Sequence, residues 1–115
     1  MKILVVDDDP SIRMLYKEEL EDEGYDVVVA SSGKQAIELF QRENPDLVTL
    51  DILMPDMDGI QVLRKMKEIK PRLPIVMSTA YDYRDDFAVW ASEAYVVKSS
   101  DTTELKDTIR KLLQK

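Results

Sequence analysis

Cysteine and histidine are both absent from this chain, which excludes disulfides, thiolate metal sites and zinc centres built on imidazole. A metal bound here takes oxygen ligands alone, and that selects a hard cation. Basic runs are missing as well: 16 Lys and Arg stand against 23 Asp and Glu, a formal net charge of −7. Affinity for a phosphate backbone comes from clustered cations, so direct nucleic-acid binding is not expected. No apolar run reaches membrane-spanning length, and the four apolar residues after Met1-Lys2 are too few for the core of a signal peptide. The expected location is the cytoplasm, with no membrane partner. Repeats, low-complexity segments and linkers are also lacking, and 115 residues suit a single domain spanning 1–115.

What the chain does contain is alternation. Apolar runs of strand length follow one another with helix-period segments between them, the pattern of βα units around a parallel sheet. Asp9-Pro10 opens the first helix as N-cap and first-turn proline, and Gly24 closes it. Ile12, Leu15 and Leu20 give that helix its apolar side. Asp26 to Ala30 is the second strand; a second helix follows Ser31 or Ser32, with Ala36, Ile37 and Phe40 on one face, and stops before Asn44-Pro45. A third helix runs from about Gly59 to Ile69 and buries Leu63 and Met66. A short fourth helix is expected over Tyr83 to Ala91, with Trp90 packed at the core edge. The fifth is opened by Asp101 and Glu104 at capping-box spacing and buries Leu105, Ile109 and Leu112. The expected architecture is α/β, a flavodoxin-like doubly wound (βα)5 sandwich with strand order 2-1-3-4-5.

Four strands end at residues suited to phosphoryl chemistry: Asp7 and Asp8 after Lys2 to Val6, Asp51 after Leu47 to Leu50, Thr79 after Ile75 to Ser78, and Lys98 after Ala94 to Val97. In such a sheet these ends share one edge, beside the point where strand order reverses. Carboxylates gathered there repel unless a cation joins them. Their all-oxygen chemistry suits Mg²⁺, with Asp8 and Asp51 as direct ligands, Asp7 holding a metal-bound water, and the backbone carbonyl of Leu53 completing the protein's share. A carboxylate can take up a phosphoryl group as an acyl phosphate, with Thr79 bonding one phosphoryl oxygen and Lys98 another. Asp9, held beside Pro10, is expected to cap the helix and not to bind metal.

Leu4-Val-Val-Asp-Asp8, Leu50-Asp-Ile-Leu-Met-Pro55, Met57-Asp-Gly59, Ser78-Thr-Ala80 and Tyr95-Val-Val-Lys98 occur in an order that, across the whole chain, resembles the receiver domain of two-component response regulators, of the single-domain, chemotaxis-regulator-like kind. The resemblance implies that Asp51 receives a phosphoryl group from a histidine kinase or histidine phosphotransfer protein. It also implies that Thr79 and Tyr95 act as switch residues, coupling phosphorylation to a partner-binding surface around the fourth helix, fifth strand and fifth helix, and that a phosphorylation-dependent dimer can form. The chain departs from the family pattern at Ser99, where receivers usually carry proline after the lysine. A cis bond before a non-proline residue costs about 2.5–4 kcal/mol, so a trans Lys98-Ser99 bond is expected, with Lys98 mobile in the unphosphorylated protein.

Two other readings share these residues. Asp7-Asp-Asp9-Pro-Ser11 resembles the nucleophile motif of haloacid-dehalogenase-like aspartyl-phosphate phosphatases, and Ser99 with the short fourth helix also suits a receiver-like adaptor that works without phosphorylation. The ligand and cap assignments predict different failures. Asp8→Ala should weaken Mg²⁺ binding by about tenfold or more, whereas Asp9→Ala should cost about 1 kcal/mol of stability with little change in metal affinity; equal loss of Mg²⁺ affinity in a metal titration of the two variants would contradict the assignment.

Overall fold

In β1 (Lys2–Val6) the last four residues are fully buried, and in β3 (Leu47–Asp51) all five are. Near-continuous apolar runs of this kind belong to parallel strands covered on both faces. The computed structural model describes residues 1–52, 59–79, 94–98 and 101–114. Its remaining strands are β2 (Asp26–Ala30), β4 (Ile75–Thr79) and β5 (Ala94–Val97). All neighbours pair in parallel, in the order β2-β1-β3-β4-β5, as the alternating pattern predicted.

Successive side chains on a strand point to opposite faces, so each strand feeds two cores. Leu4, Val6, Val48, Leu50 and Met77 pack with Phe40, Leu63 and Met66 on one side. Those helical residues come from α2 (Gly33–Glu43) and α3 (Gly59–Ile69). On the other side Ile3, Val5, Leu47 and Val76 meet Tyr16 and Leu20 of α1 (Pro10–Asp22) and Leu105 and Ile109 of α4 (Thr103–Leu113). Among the described residues, two helices cover each face of the sheet, in three layers.

Local chemistry sets the helix boundaries. The Asp9 carboxylate accepts the Ser11 N–H at 2.9 Å ahead of Pro10, and Gly24, at φ +94°, ends α1 in a conformation that L side chains rarely adopt. Ser32 caps α2 through the Gln35 N–H at 3.2 Å, and Asn44, left-handed at φ 50°, closes it before Pro45. The capping box at Asp101 and Glu104 is corrected: α4 begins at Thr103, with Thr102 in the cap position and no side-chain cap bond. Thr102 is turned inward and buried, so Asp101 sits one residue too early. Its carboxylate instead accepts the Thr103 N–H at 3.0 Å, a local turn bond. The expected helix over Tyr83 to Ala91, the place of Trp90 and the Lys98-Ser99 bond lie outside the described residues.

Gly59 shows how tightly α3 is seated. Its N–H donates to the Ile52 carbonyl at 2.7 Å. A β-carbon there would lie 2.6 Å from Ile52 Cα and 2.7 Å from the Ile52 carbonyl oxygen, and closer still to the Asp51 carbonyl. Only glycine lets the helix start abut the end of β3. Gly59→Ala should therefore destabilise the fold by about 1–3 kcal/mol through overpacking, seen as a lower denaturant midpoint at unchanged slope; a loss under about 0.5 kcal/mol, the size of an ordinary surface change, would contradict this packing.

Candidate functional site

The strand ends bring together what the sequence placed there. Val6 pairs with Leu50 and Asp51 with Ser78, so Asp7, one step beyond Val6, stands level with Asp51. Asp7 is 1% exposed and Asp51 4%, while Asp8 beside them is open to solvent. Each of the three offers a carboxylate oxygen, and these atoms lie within 4.8 Å of one another.

Lys98, just past β5, reaches across to this cluster. Its Nζ is 2.6 Å from Asp7 Oδ2 and 3.2 Å from Asp51 Oδ2, with the side chain only 13% exposed. The expectation of a mobile Lys98 is therefore corrected. Two buried carboxylates fix the ammonium without any phosphoryl group, because leaving either one unpaired in this setting costs more than ordering the lysine chain.

Asp7 is held from several sides. Its Oδ1 accepts the Asp9 N–H at 2.9 Å, its own N–H continues the β1–β2 ladder to the Ala30 carbonyl at 3.1 Å, and its carbonyl accepts from Arg13 Nη1 at 2.7 Å. Arg13 is a supporting residue that the sequence reading passed over. The signal was its place one turn into α1, close to the acids that precede the helix. Asp7 Oδ2 is buried and, among the described residues, meets only the Lys98 ammonium, which leaves lone-pair capacity over. A buried acceptor in that state suits a metal-bound water, the part assigned to Asp7.

Electrostatics point the same way. Burial, then the charge of Asp7, push the Asp51 carboxyl up to about 6, although Lys98 pulls it back. For Lys98, burial works against the charge, but the closeness and charge of Asp7 together with Asp51 outweigh it, so the ammonium holds its proton more tightly than usual. One ammonium does not neutralise three carboxylates. A divalent cation bound by oxygen would bring the total charge to zero, and the donor set fits Mg²⁺ better than any softer ion. Asp8, Asp51 and Asp7 are the residues that would hold it. The Leu53 carbonyl lies outside the described residues.

Thr79 and Tyr95 are placed by backbone alone: Thr79 closes β4 opposite Val97, and Tyr95 pairs with Met77. Their switch roles depend on side chains outside the described set. Asp9, as expected, is a cap. The phosphatase motif loses its second acid by this, since the Asp9 carboxylate is engaged with the start of α1.

Comparison with known proteins agrees with the geometry. Residues 3–110 match the family model of the response regulator receiver domain. Sporulation initiation phosphotransferase F of Bacillus subtilis (strain 168) is 37% identical over 97% of this chain and 93% of its own length. The alkaline phosphatase synthesis transcriptional regulatory protein PhoP of the same organism is 37% identical over 99% of this chain but only 49% of its own length, so the chain spans about half of such a regulator. Among solved structures, the response regulator protein TrrA from Thermotoga maritima in complex with Mg(2+)-BeF has a TM-score of 0.94 at 47% identity, covering 97% of this chain and 98% of its own. TrrA in complex with the histidine kinase ThkA gives 0.92 at 46% identity, with 98% of each chain covered.

The raised carboxyl of Asp51 has a consequence for stability. Its folded value lies above its ordinary one, so between the two the folded protein binds more protons than the unfolded chain, and stability falls as pH rises through that window, with the full penalty present above about 6. Asp7 still pairs Lys98 when Asp51 is neutralised. In Mg²⁺-free buffer Asp51→Asn should thus be more stable than the parent by about 1–2 kcal/mol near pH 7.5, the gain vanishing toward about pH 4 and shrinking when Mg²⁺ is added. Denaturant curves at the two pH values check this; a variant less stable at pH 7.5 would contradict it.

Proposed function

Because this chain belongs to the response regulator receiver domain family, we propose that Asp51 is the residue that carries its phosphoacceptor function. One observation supports Asp51 above its neighbours: it is a buried carboxylate in the oxygen cluster fit for a metal, in contact with Lys98, and it ends β3, the central strand between the acids that follow β1 and the strands that lead to Thr79 and Lys98. Asp8 is exposed, and Asp7 spends Oδ1 on the Asp9 N–H and Oδ2 on Lys98.

An Asp51 carboxylate oxygen attacks the phosphorus of a phosphohistidine donor. The new O–P bond forms as the P–N bond to the donor's imidazole breaks, and the imidazole leaves with the electron pair and takes up a proton. The product is an acyl phosphate on Asp51. Mg²⁺, when held by Asp8, Asp51 and Asp7, supplies positive charge to the transferring phosphoryl oxygens. Lys98 shifts from the Asp51 carboxylate to a phosphoryl oxygen, and the Thr79 hydroxyl bonds another. The chain promotes only its own phosphorylation and its later hydrolysis.

The donor is a histidine kinase or histidine phosphotransfer protein, a reading supported by the TrrA–ThkA complex. The added charge at Asp51 draws on Thr79 and Lys98, and through Tyr95 alters a surface that a downstream protein reads, with dimer formation as one form of output. A cytoplasmic setting for the reaction is part of this proposal, supported by membership of the receiver family; no helix among the described residues is long and apolar enough to cross a membrane.

Incubation with Mg²⁺ and a small phosphodonor such as acetyl phosphate, followed by mapping of the modified residue, tests the assignment. The expected product is a base-labile, hydroxylamine-sensitive acyl phosphate on Asp51, with none in Asp51→Asn. A label on Asp7 would overturn the assignment in favour of the phosphatase chemistry. Undiminished partner binding by Asp51→Ala would instead favour a receiver-like adaptor.

A further inference from the structure

Tyr16 and Ser78 form a buried polar pair that the charge cluster does not require. The two hydroxyls are 2.8 Å apart, either able to donate, and both residues are 2% exposed. Tyr16 is the largest fully buried side chain of α1, a helix whose main strand neighbours are β2 and β1. Ser78 is on β4, in register with Asp51 on one side and Val96 on the other. It lies two residues beyond Val76 and so on the same sheet face, the one covered by α1 and α4.

The sheet order makes this contact informative. Between β1 and β4 lies β3, whose end is Asp51. The acidic half of the site is tied to α1 already, through Asp9 N–H to Asp7 Oδ1 and Arg13 to the Asp7 carbonyl. Tyr16 carries the same helix across β3 to the strand that ends in Thr79. Its phenol is near enough to feel Lys98, Asp7 and Asp51, and burial keeps it protonated. A phenylalanine would fill this apolar layer equally well, and a valine in place of Ser78 would suit a parallel strand better. Two hydroxyls facing each other there serve something other than apolar packing.

We infer that the Tyr16–Ser78 hydrogen bond is a brace across Asp51, holding the β4 half of the site in place against the acidic half carried by β1 and α1, so that Tyr16 is a positioning residue for phosphoryl transfer. The brace acts on the half that handles the phosphoryl group and not on metal binding, because Asp7 and Asp51 stand on directly paired strands. This rests on Asp51 as the acceptor, and the wild-type label is mapped first: a label elsewhere refutes that reading before any variant is compared.

Tyr16→Phe, Ser78→Ala and the double variant are then compared with Mg²⁺ and acetyl phosphate. Each single variant strands one buried hydroxyl and loses stability, whereas the double variant removes both and regains most of it. If the pair is a brace, phosphorylation at saturating donor slows about three- to thirty-fold in each single variant, as small misplacements do, and stays slow in the stable double variant. Mg²⁺ affinity by metal titration stays within about twofold of wild type throughout, since the carboxylates are untouched. A wild-type rate in the double variant would reduce the pair to packing and overturn the brace. So would Mg²⁺ affinity falling in step with the rate.

Discussion

The Lys98 ammonium wedged between Asp7 and Asp51 is the interaction on which the site depends. Two carboxylates about 4 Å apart repel by about 4 kcal/mol at an effective dielectric of about 20, and these two are almost completely buried. Lys98 offsets part of that from 2.6 and 3.2 Å. Burial, and after it what remains of that repulsion, raises the carboxyl of Asp51, an imbalance that a divalent cation would correct. The resting site is thus pre-charged for metal, and the metal-bound site is close to neutral when a phosphoryl group arrives.

That arrangement requires the sheet order. Lys98 follows β5 and reaches over β4 to β3 and β1, a span that suits the four-carbon stem of lysine. Asp7 and Asp51 stand level because Val6 pairs with Leu50, and a slip of one residue in that register would turn one acid to the opposite face. The two cores hold the register. Ile3 and Val5 are committed to one side and Leu4 and Val6 to the other. Gly59 seats α3 directly against the Asp51 and Ile52 backbone, so the Asp51 main chain is pinned from the loop side as well.

Much of this was legible in the residues. Strand-length apolar runs ending in Asp, Asp, Thr and Lys led to the sheet and to its charged edge, and Asp9-Pro10, the Ser31-Ser32 pair and Asn44-Pro45 marked helix boundaries through turn and cap chemistry that acts locally. What escaped the sequence was set by tertiary contact. Asp101 has the spacing of a cap, but burial of Thr102 moved the helix start by one residue. Lys98 followed by Ser99 suggested a loose side chain, whereas the buried carboxylates facing it, distant in sequence, decide its order. Tyr16 carries no local signal, because its partner lies 62 residues away on another strand. Local signals report local bonds, and long-range polar pairs leave none.

The central claim is that buried like charges at the sheet edge hold Asp51 in a strained ionisation that metal relieves. A carboxyl-carbon NMR titration of Asp51, with and without saturating Mg²⁺, measures this directly. The account predicts a midpoint near 6 without metal and a fall of about one unit or more when Mg²⁺ is bound. A midpoint in the ordinary carboxylate range without metal, unmoved by Mg²⁺, would contradict it.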